Sequence, residues 1–189
     1  MRLKQIWNYL WHGEGALSWV VTFAVAFILV KFVLLPVGGL VLGTSFPVVA
    51  VVSSSMEHPG GFDVWWEKQH AWYETRGITK EIFLTYPQRQ GFNKGDVMVL
   101  FGTDFNTIIQ GDVVVFWGKH TQPIIHRVVN RTDMLLTTKG DNNLYTFPEL
   151  GEDKNSQTKY LGRAVLRVPY AGWPKIWAVE LFRVFTGGR

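Results

Sequence analysis

Hydrophobic and polar positions divide the chain into three regimes. The first is a mixed opening, the second an unbroken apolar run, and the third a series of short apolar stretches between polar breaks. The apolar run, ALSWVVTFAVAFILVKFVLL from Ala16 to Leu35, carries a single charge in twenty residues. As a helix at about 1.5 Å per residue it is about 30 Å long, the thickness of a bilayer's hydrocarbon core. Lys31 lies near its carboxyl end, where a long stem reaches the headgroups. Pro36 and Gly38-Gly39 are expected to stop the helix. A cleavable leader has a shorter apolar core, about 7–15 residues, with a small-x-small site behind it. The run here is longer and no A-x-A pattern follows, so an uncleaved transmembrane anchor is expected. Ahead of it, Leu3, Ile6, Trp7, Leu10 and Trp11 recur at helical spacing. They form either a face for the membrane surface or the start of the membrane helix. Arg2 and Lys4 precede the span, and no charge falls between Lys31 and Glu57. The amino terminus is therefore expected in the cytoplasm, and the residues after about 40 outside.

The remainder reads as β. FPVVAVV, DVMVLF, DVVVFW, PIIHRVVN, DMLLTT and AVLRVPY are short runs rich in Val, Ile and Phe, set off by Gly, Asp and Asn. KGDVMVLFG and QGDVVVFWG echo each other sixteen residues apart, each a Gly-Asp turn launching an apolar strand. The spacing argues for antiparallel strands in a compact, partly closed domain, so the fold class is mainly β. Residues 60–90 change character to a mixture of aromatic and charged positions, and read as an insertion with helical parts. Trp65, Trp66, Trp72 and Tyr73 there suit either the headgroup layer or a small satellite core. Ile176, Val179 and Phe182/Arg183 give the tail a roughly helical spacing, too short and too charged to span a bilayer. The expected organisation is an amphipathic segment and anchor over 1–43, a β-rich domain over 44–172 containing the 60–90 insertion, and an amphipathic tail over 173–189.

Composition trims the choices. With 189 residues, 47% of them hydrophobic, there is room for one modest domain beside the anchor. The absence of cysteine excludes disulfides and thiolate metal sites. The five histidines stand singly, without HExxH spacing. A net charge of +4 says no more than solubility or a nearby anionic surface.

Three polar stretches interrupt or end apolar strands: SSSM, IIHRVV and TKGDNN. A serine hydroxyl is a weak nucleophile until a base takes its proton, often with a third group orienting that base. Ser55 lies just past an apolar strand. His126 lies within one, on the face of Ile124 and Val128. Asp141 follows a glycine in a tight turn. Each also has an ordinary reading, as a polar connector, a hydrogen-bonded strand histidine and a turn. Spacing cannot decide, because such triads are recognised by geometry.

SSSM-E-x-P, GDVVVF, IIHRVV and TKGDNN, in this order after one membrane anchor, closely resemble type I signal peptidases of the archaeal and endoplasmic-reticulum branch. The match covers about Val48 to Asn143 and, more loosely, GRAVLRVPYAGW. The resemblance implies a β-rich catalytic domain and a serine endopeptidase that removes signal peptides. It implies Ser55 as nucleophile and His126 as general base, where the bacterial branch uses lysine. Ser53 is implied as an oxyanion-hole hydroxyl, and Ser54 as filler. The chain departs from the resemblance at two places. Relatives carry the triad acid about six residues after the Asp of GDNN, which here is Phe147. Asp141 is the expected acid and Glu149 its rival, with Glu152 and Asp153 the other acids nearby. Relatives also lack the 60–90 insertion.

The implied substrates are precursors whose apolar signal helix lies in the bilayer, read at two alternate small residues before the scissile bond. The implied partners are these precursors, the lipid bilayer and the protein-translocation channel, with no nucleic acid and no metal or cofactor. Two rivals remain open. One is a Ser/Lys protease with Lys139 or Lys119 as base; the other is a non-catalytic anchored β-domain that binds a secretion partner.

Overall fold

The computed structural model describes residues 5, 7–8, 15–119, 122–153, 155–174, 176–178 and 180. The amphipathic face expected over Leu3, Ile6, Leu10 and Trp11 lies outside the described residues, as do Val179, Phe182 and Arg183 of the tail. The chain divides into two compact units, Met1–Val41 and Leu42–Arg189.

Helix α1, Ala16–Leu42, is long and apolar enough to cross a membrane, with a mean hydropathy of 2.6 over its most apolar window. It runs past Pro36 and Gly38-Gly39, contrary to the expectation that they end it. The reason is a π-helical turn over Val30–Leu34, in which the Leu35 N–H reaches back to the Val30 carbonyl. The wider turn shifts the hydrogen-bond ladder just where the proline ring would break it, the usual adjustment in apolar helices. Gly43, at φ +65°, ends the helix in the left-handed conformation.

Six strands follow: β1 (Val48–Ala50), β2 (Val97–Phe101), β3 (Val113–Trp117), β4 (Pro123–Arg131), β5 (Leu136–Lys139) and β6 (Tyr160–Val168). All pairings are antiparallel, in the order β1-β2-β6-β3-β4-β5, so the domain is mainly β. The last strand inserts between the two echoing segments. Their turns match: the Asp96 carboxylate accepts the Asn93 N–H at 2.8 Å, and the Asp112 carboxylate accepts the Ile109 N–H at 3.0 Å. Two arginines of β6 serve the same pair, Arg167 meeting Asp96 at 2.7 Å and Arg163 meeting Asp112 at 3.6 Å. The echo is thus structural, two like turns launching the two strands that flank β6.

Apolar residues fill both sides of the sheet. Val51, Met56, Phe92, Met98, Leu100, Val113, Val115 and Ala164 form one cluster. Phe105, Ile108, Val114, Phe116, Val128 and Leu136 form another. Within 60–90, helices α2 (Phe62–Glu74) and α3 (Lys80–Leu84) form. Phe62, Trp65, Trp66, Gln69 and Tyr73 are the buried positions of α2, at helical spacing. With Ile78, Phe83, Tyr86 and Val129 of β4 the aromatic ones make a third core. Trp65, Trp66 and Tyr73 are therefore spent inside the domain, as a satellite core, and Trp72 packs at its edge.

Candidate active site

The chain leaves β1 through Val51, whose N–H and carbonyl pair with Asp96 and Gly95, and then turns over Ser53–Met56. Met56, only 1% exposed, anchors this turn in the first core. Its carbonyl accepts the Phe92 N–H at 3.0 Å, and its sulfur accepts the Asp141 N–H at 3.4 Å. A buried methionine directly after the serines holds their backbone while leaving their hydroxyls toward the surface. Ser53 and Ser54 are exposed and Ser55 is half-buried.

His126 stands in β4 opposite Val114, whose side chain clusters with Ile124 and Val128. It is 4% exposed. Its Nε2 lies 2.9 Å from Ser55 Oγ. Its Nδ1 hydrogen-bonds the carboxylate of Glu152, a side chain with no exposure. A carboxylate can only accept, so Nδ1 carries the proton and Nε2 is left to accept from the serine hydroxyl. Ser53 Oγ is 3.2 Å from Ser55 Oγ.

Glu152 reaches this place from the loop after a short 3₁₀ turn, Pro148–Leu150. Its carbonyl accepts the Thr138 N–H of β5 at 2.7 Å, and Asn155 bridges to Leu136. Its second carboxylate oxygen accepts the Phe147 N–H. Phe147 holds the sequence position at which an acid was expected; here its backbone steers an acid five residues further on.

The two acids favoured from sequence lie elsewhere, which corrects that expectation. Glu149 is exposed on the 3₁₀ turn. Asp141 is fully buried, and its carboxylate accepts from Arg127 Nε at 2.9 Å and Nη2 at 2.7 Å, from His58 Nε2 at 3.1 Å and from Tyr73 Oη at 3.3 Å. Burial opposes its charge, but the Arg127 guanidinium and the His58 and Arg127 hydrogen bonds hold the carboxyl well below its usual range. Arg127 is likewise fully buried and donates further to the carbonyls of Pro87, Gly111 and Gln88. Asp141 is the anion of a buried charge network, and among the described residues the carboxylate on His126 is that of Glu152.

The rival bases are also placed. Lys119 Nζ donates to the Pro148 carbonyl at 2.9 Å. Lys139 is buried, with Nζ against Gln69 Oε1, Tyr73 Oη and the carbonyls of Gly140 and Asp141. Neither has a hydrogen bond to Ser55 among these contacts.

The turn after Lys139 completes the site. Asn142 donates its N–H to the Ser55 carbonyl at 2.8 Å and its Nδ2 to the Ser54 carbonyl at 3.2 Å. Gly140 must lack a side chain, since a Cβ there would fall 2.8 Å from His126 Nε2 and 2.9 Å from the Ser55 carbonyl. Sequence reading missed Arg127, His58, Asn142 and the part played by Glu152. Arg127 alone left a signal, as a charge within an apolar strand, which requires a buried anion behind it. Among the described residues no group of three or more His, Asp and Glu is arranged to hold a metal.

No family model matches the chain. The signal peptidase complex catalytic subunit sec11 of Pyrenophora tritici-repentis is 34% identical over 109 residues, covering 52% of this chain and 62% of that protein. The corresponding subunit SEC11 of Candida dubliniensis is 31% identical over 109 residues, 52% of this chain and 64% of that protein. Signal peptidase I W of Bacillus subtilis is 31% identical over 91 residues, 46% of this chain and 48% of that protein. The chain thus spans less than two thirds of the length of these curated relatives.

Proposed function

We propose that this chain, related in sequence to the type I signal peptidases, is a membrane-anchored serine endopeptidase that removes signal peptides from secreted precursors. The observation that carries this reading is the line Ser55 Oγ, His126, Glu152, with 2.9 Å between hydroxyl and imidazole. Ser55 attacks the scissile carbonyl carbon as His126 Nε2 takes its proton. Glu152 holds the imidazole in the correct tautomer and stabilises its charged form. The Ser55 N–H and the Ser53 hydroxyl receive the oxyanion, each such donor being worth about 10²–10³ in rate. His126 then protonates the leaving amine, and water opens the acyl-enzyme by the reverse path. The acid role passes to Glu152, because Asp141 is already committed to Arg127 and Glu149 is turned outward.

The substrate follows from the surroundings. Strand β1 is the edge of the sheet and leads directly into the serine turn. A groove beside it is lined by Phe46, Val48, Val49, Ala50, Val52 and Pro123, among others. An extended peptide adding to such an edge has its register set by main-chain hydrogen bonds and its alternate side chains read by shallow apolar pockets. The proposed setting is a single-pass anchor with the amino terminus cytoplasmic and the catalytic domain outside, where precursors emerge from the translocation channel. Anchoring confines enzyme and precursor to one plane and raises their effective concentration.

A precursor-cleavage assay on the full chain in detergent tests the reading. Wild type is expected to release the mature protein, and Ser55→Ala is expected to lose on the order of 10⁶ in kcat with its fold intact. Unchanged cleavage by Ser55→Ala would sink the proposal and leave an anchored β-domain with a binding role.

A further inference from the structure

We propose that Lys139 is a positioning residue for Ser55: its ammonium ties the Gly140–Asn142 turn to helix α2, so that the 60–90 insertion sets where the serine turn stands. This inference rests on reading Ser55 as the nucleophile.

The linkage runs through named atoms. Lys139 ends β5 with no exposure at all. On one side its Nζ donates to Gln69 Oε1 at 3.2 Å and to Tyr73 Oη at 3.4 Å, both on α2. On the other it donates to the carbonyls of Gly140 and Asp141, each at 3.2 Å. Trp65 of α2 adds an indole N–H to the same Asp141 carbonyl at 3.0 Å. The turn so held gives Asn142 its two bonds to the Ser54 and Ser55 carbonyls. One buried cation therefore lies three residues along the chain from Asn142, whose bonds fix the serine turn. The insertion, which the resemblance left without a role, supplies half of its acceptors.

The chemistry of the acceptors matters. An ammonium has three protons, and here all its partners are neutral dipoles. The rings of Trp72 and Tyr73 cover it, with centroids 5.0 and 4.6 Å from Nζ. The charged and titratable groups around it are Asp141 and Glu152, which favour its charge, Arg127 and Arg76, which oppose it, and Tyr73. Burial dominates and brings the lysine down to about 8. Above that pH the ammonium becomes an amine with two protons, and the turn loses a charge-assisted tie.

The test uses the full chain in detergent as wild type, Lys139→Met and Tyr73→Phe. Amide exchange over residues 53–57 and 140–143 is followed on either side of pH 8, beside kcat and KM for precursor cleavage. Lys139→Met is expected to speed exchange in both segments by about tenfold. Its kcat is expected to fall by about 10²-fold with KM little changed, as for a misplaced reacting group. Wild-type kcat is expected to fall above pH 8, and that fall is to be absent in Lys139→Met. Tyr73→Phe moves exchange and kcat in the same direction by less, and decides the matter if Lys139→Met does not fold. Exchange and kcat that stay within about twofold of wild type, or an alkaline fall that persists in Lys139→Met, overturn the proposal. A wild type that cleaves nothing, or a Ser55→Ala that still cleaves, defeats the peptidase reading instead. The exchange rates then still decide whether Lys139 holds the serine turn.

Discussion

Among the described residues of this domain two histidine–carboxylate pairs are buried, and only one of them has the makings of a catalyst. His126 pairs with Glu152 and His58 with Asp141, and both carboxylates are wholly buried. Each histidine is buried too, at 4% and 8% exposure. They differ in what the rest of each pair meets. The free nitrogen of His126 faces a half-buried serine hydroxyl, and among the described residues Glu152 has no arginine or lysine at ion-pair distance. The ring of His58 is stacked on Trp65 with centroids 3.8 Å apart, and its Nδ1 has no partner. Its carboxylate is already matched by Arg127. A carboxylate without a permanent counter-charge can stabilise an imidazolium as it forms; one held by a guanidinium has spent that capacity on structure. Residue type does not separate a catalytic pair from a structural one. The third partner does.

Amide replacements break the comparison most directly. Glu152→Gln keeps shape but lets the imidazole take the wrong tautomer, so kcat is expected to fall by about 10⁴ with the denaturation midpoint near wild type. A variant that keeps its rate would remove Glu152 from the mechanism and reduce the two pairs to equals. Asp141→Asn is expected to do the opposite. It leaves Arg127 buried without an anion, which costs about 3–5 kcal/mol, read as a lower midpoint in denaturant titration of the full chain. Asp141→Asn that lowers kcat while leaving the midpoint in place would return Asp141 to the chemistry.

The sequence made parts of this legible. All six strands stand on short runs of β-branched and other apolar residues set off by polar breaks, because β-branched residues suit a pleated surface. Ser55 and His126 were legible because each interrupts an apolar pattern without local need. The partner of His126 was not. Glu152 comes to it over a loop fixed by the Leu136–Asn155 bridge and the Phe147 N–H, and neither tie has a sequence signature. The aromatic spacing of the insertion announced a helix face, but a membrane surface and a protein core both call for such a face. The extension of α1 past Pro36 was hidden as well, since a π turn can absorb a proline that would otherwise end a helix.

The smallest expected effect sharpens the comparison through pH. Burial alone would raise the Asp141 carboxyl, yet the Arg127 charge and the hydrogen bonds from His58 and Arg127 bring it well below its ordinary range. A carboxyl depressed on folding contributes stability that is whole above its unfolded value, about 3.9, and is lost as pH falls toward the folded value. The denaturation midpoint of wild type should therefore decline in strong acid, and little less so in high salt, since a buried pair is poorly screened. In Asp141→Asn the plateau is lower, but that portion of the acid decline is gone. An equal decline in both proteins would mean that the network around Arg127 does not store this energy.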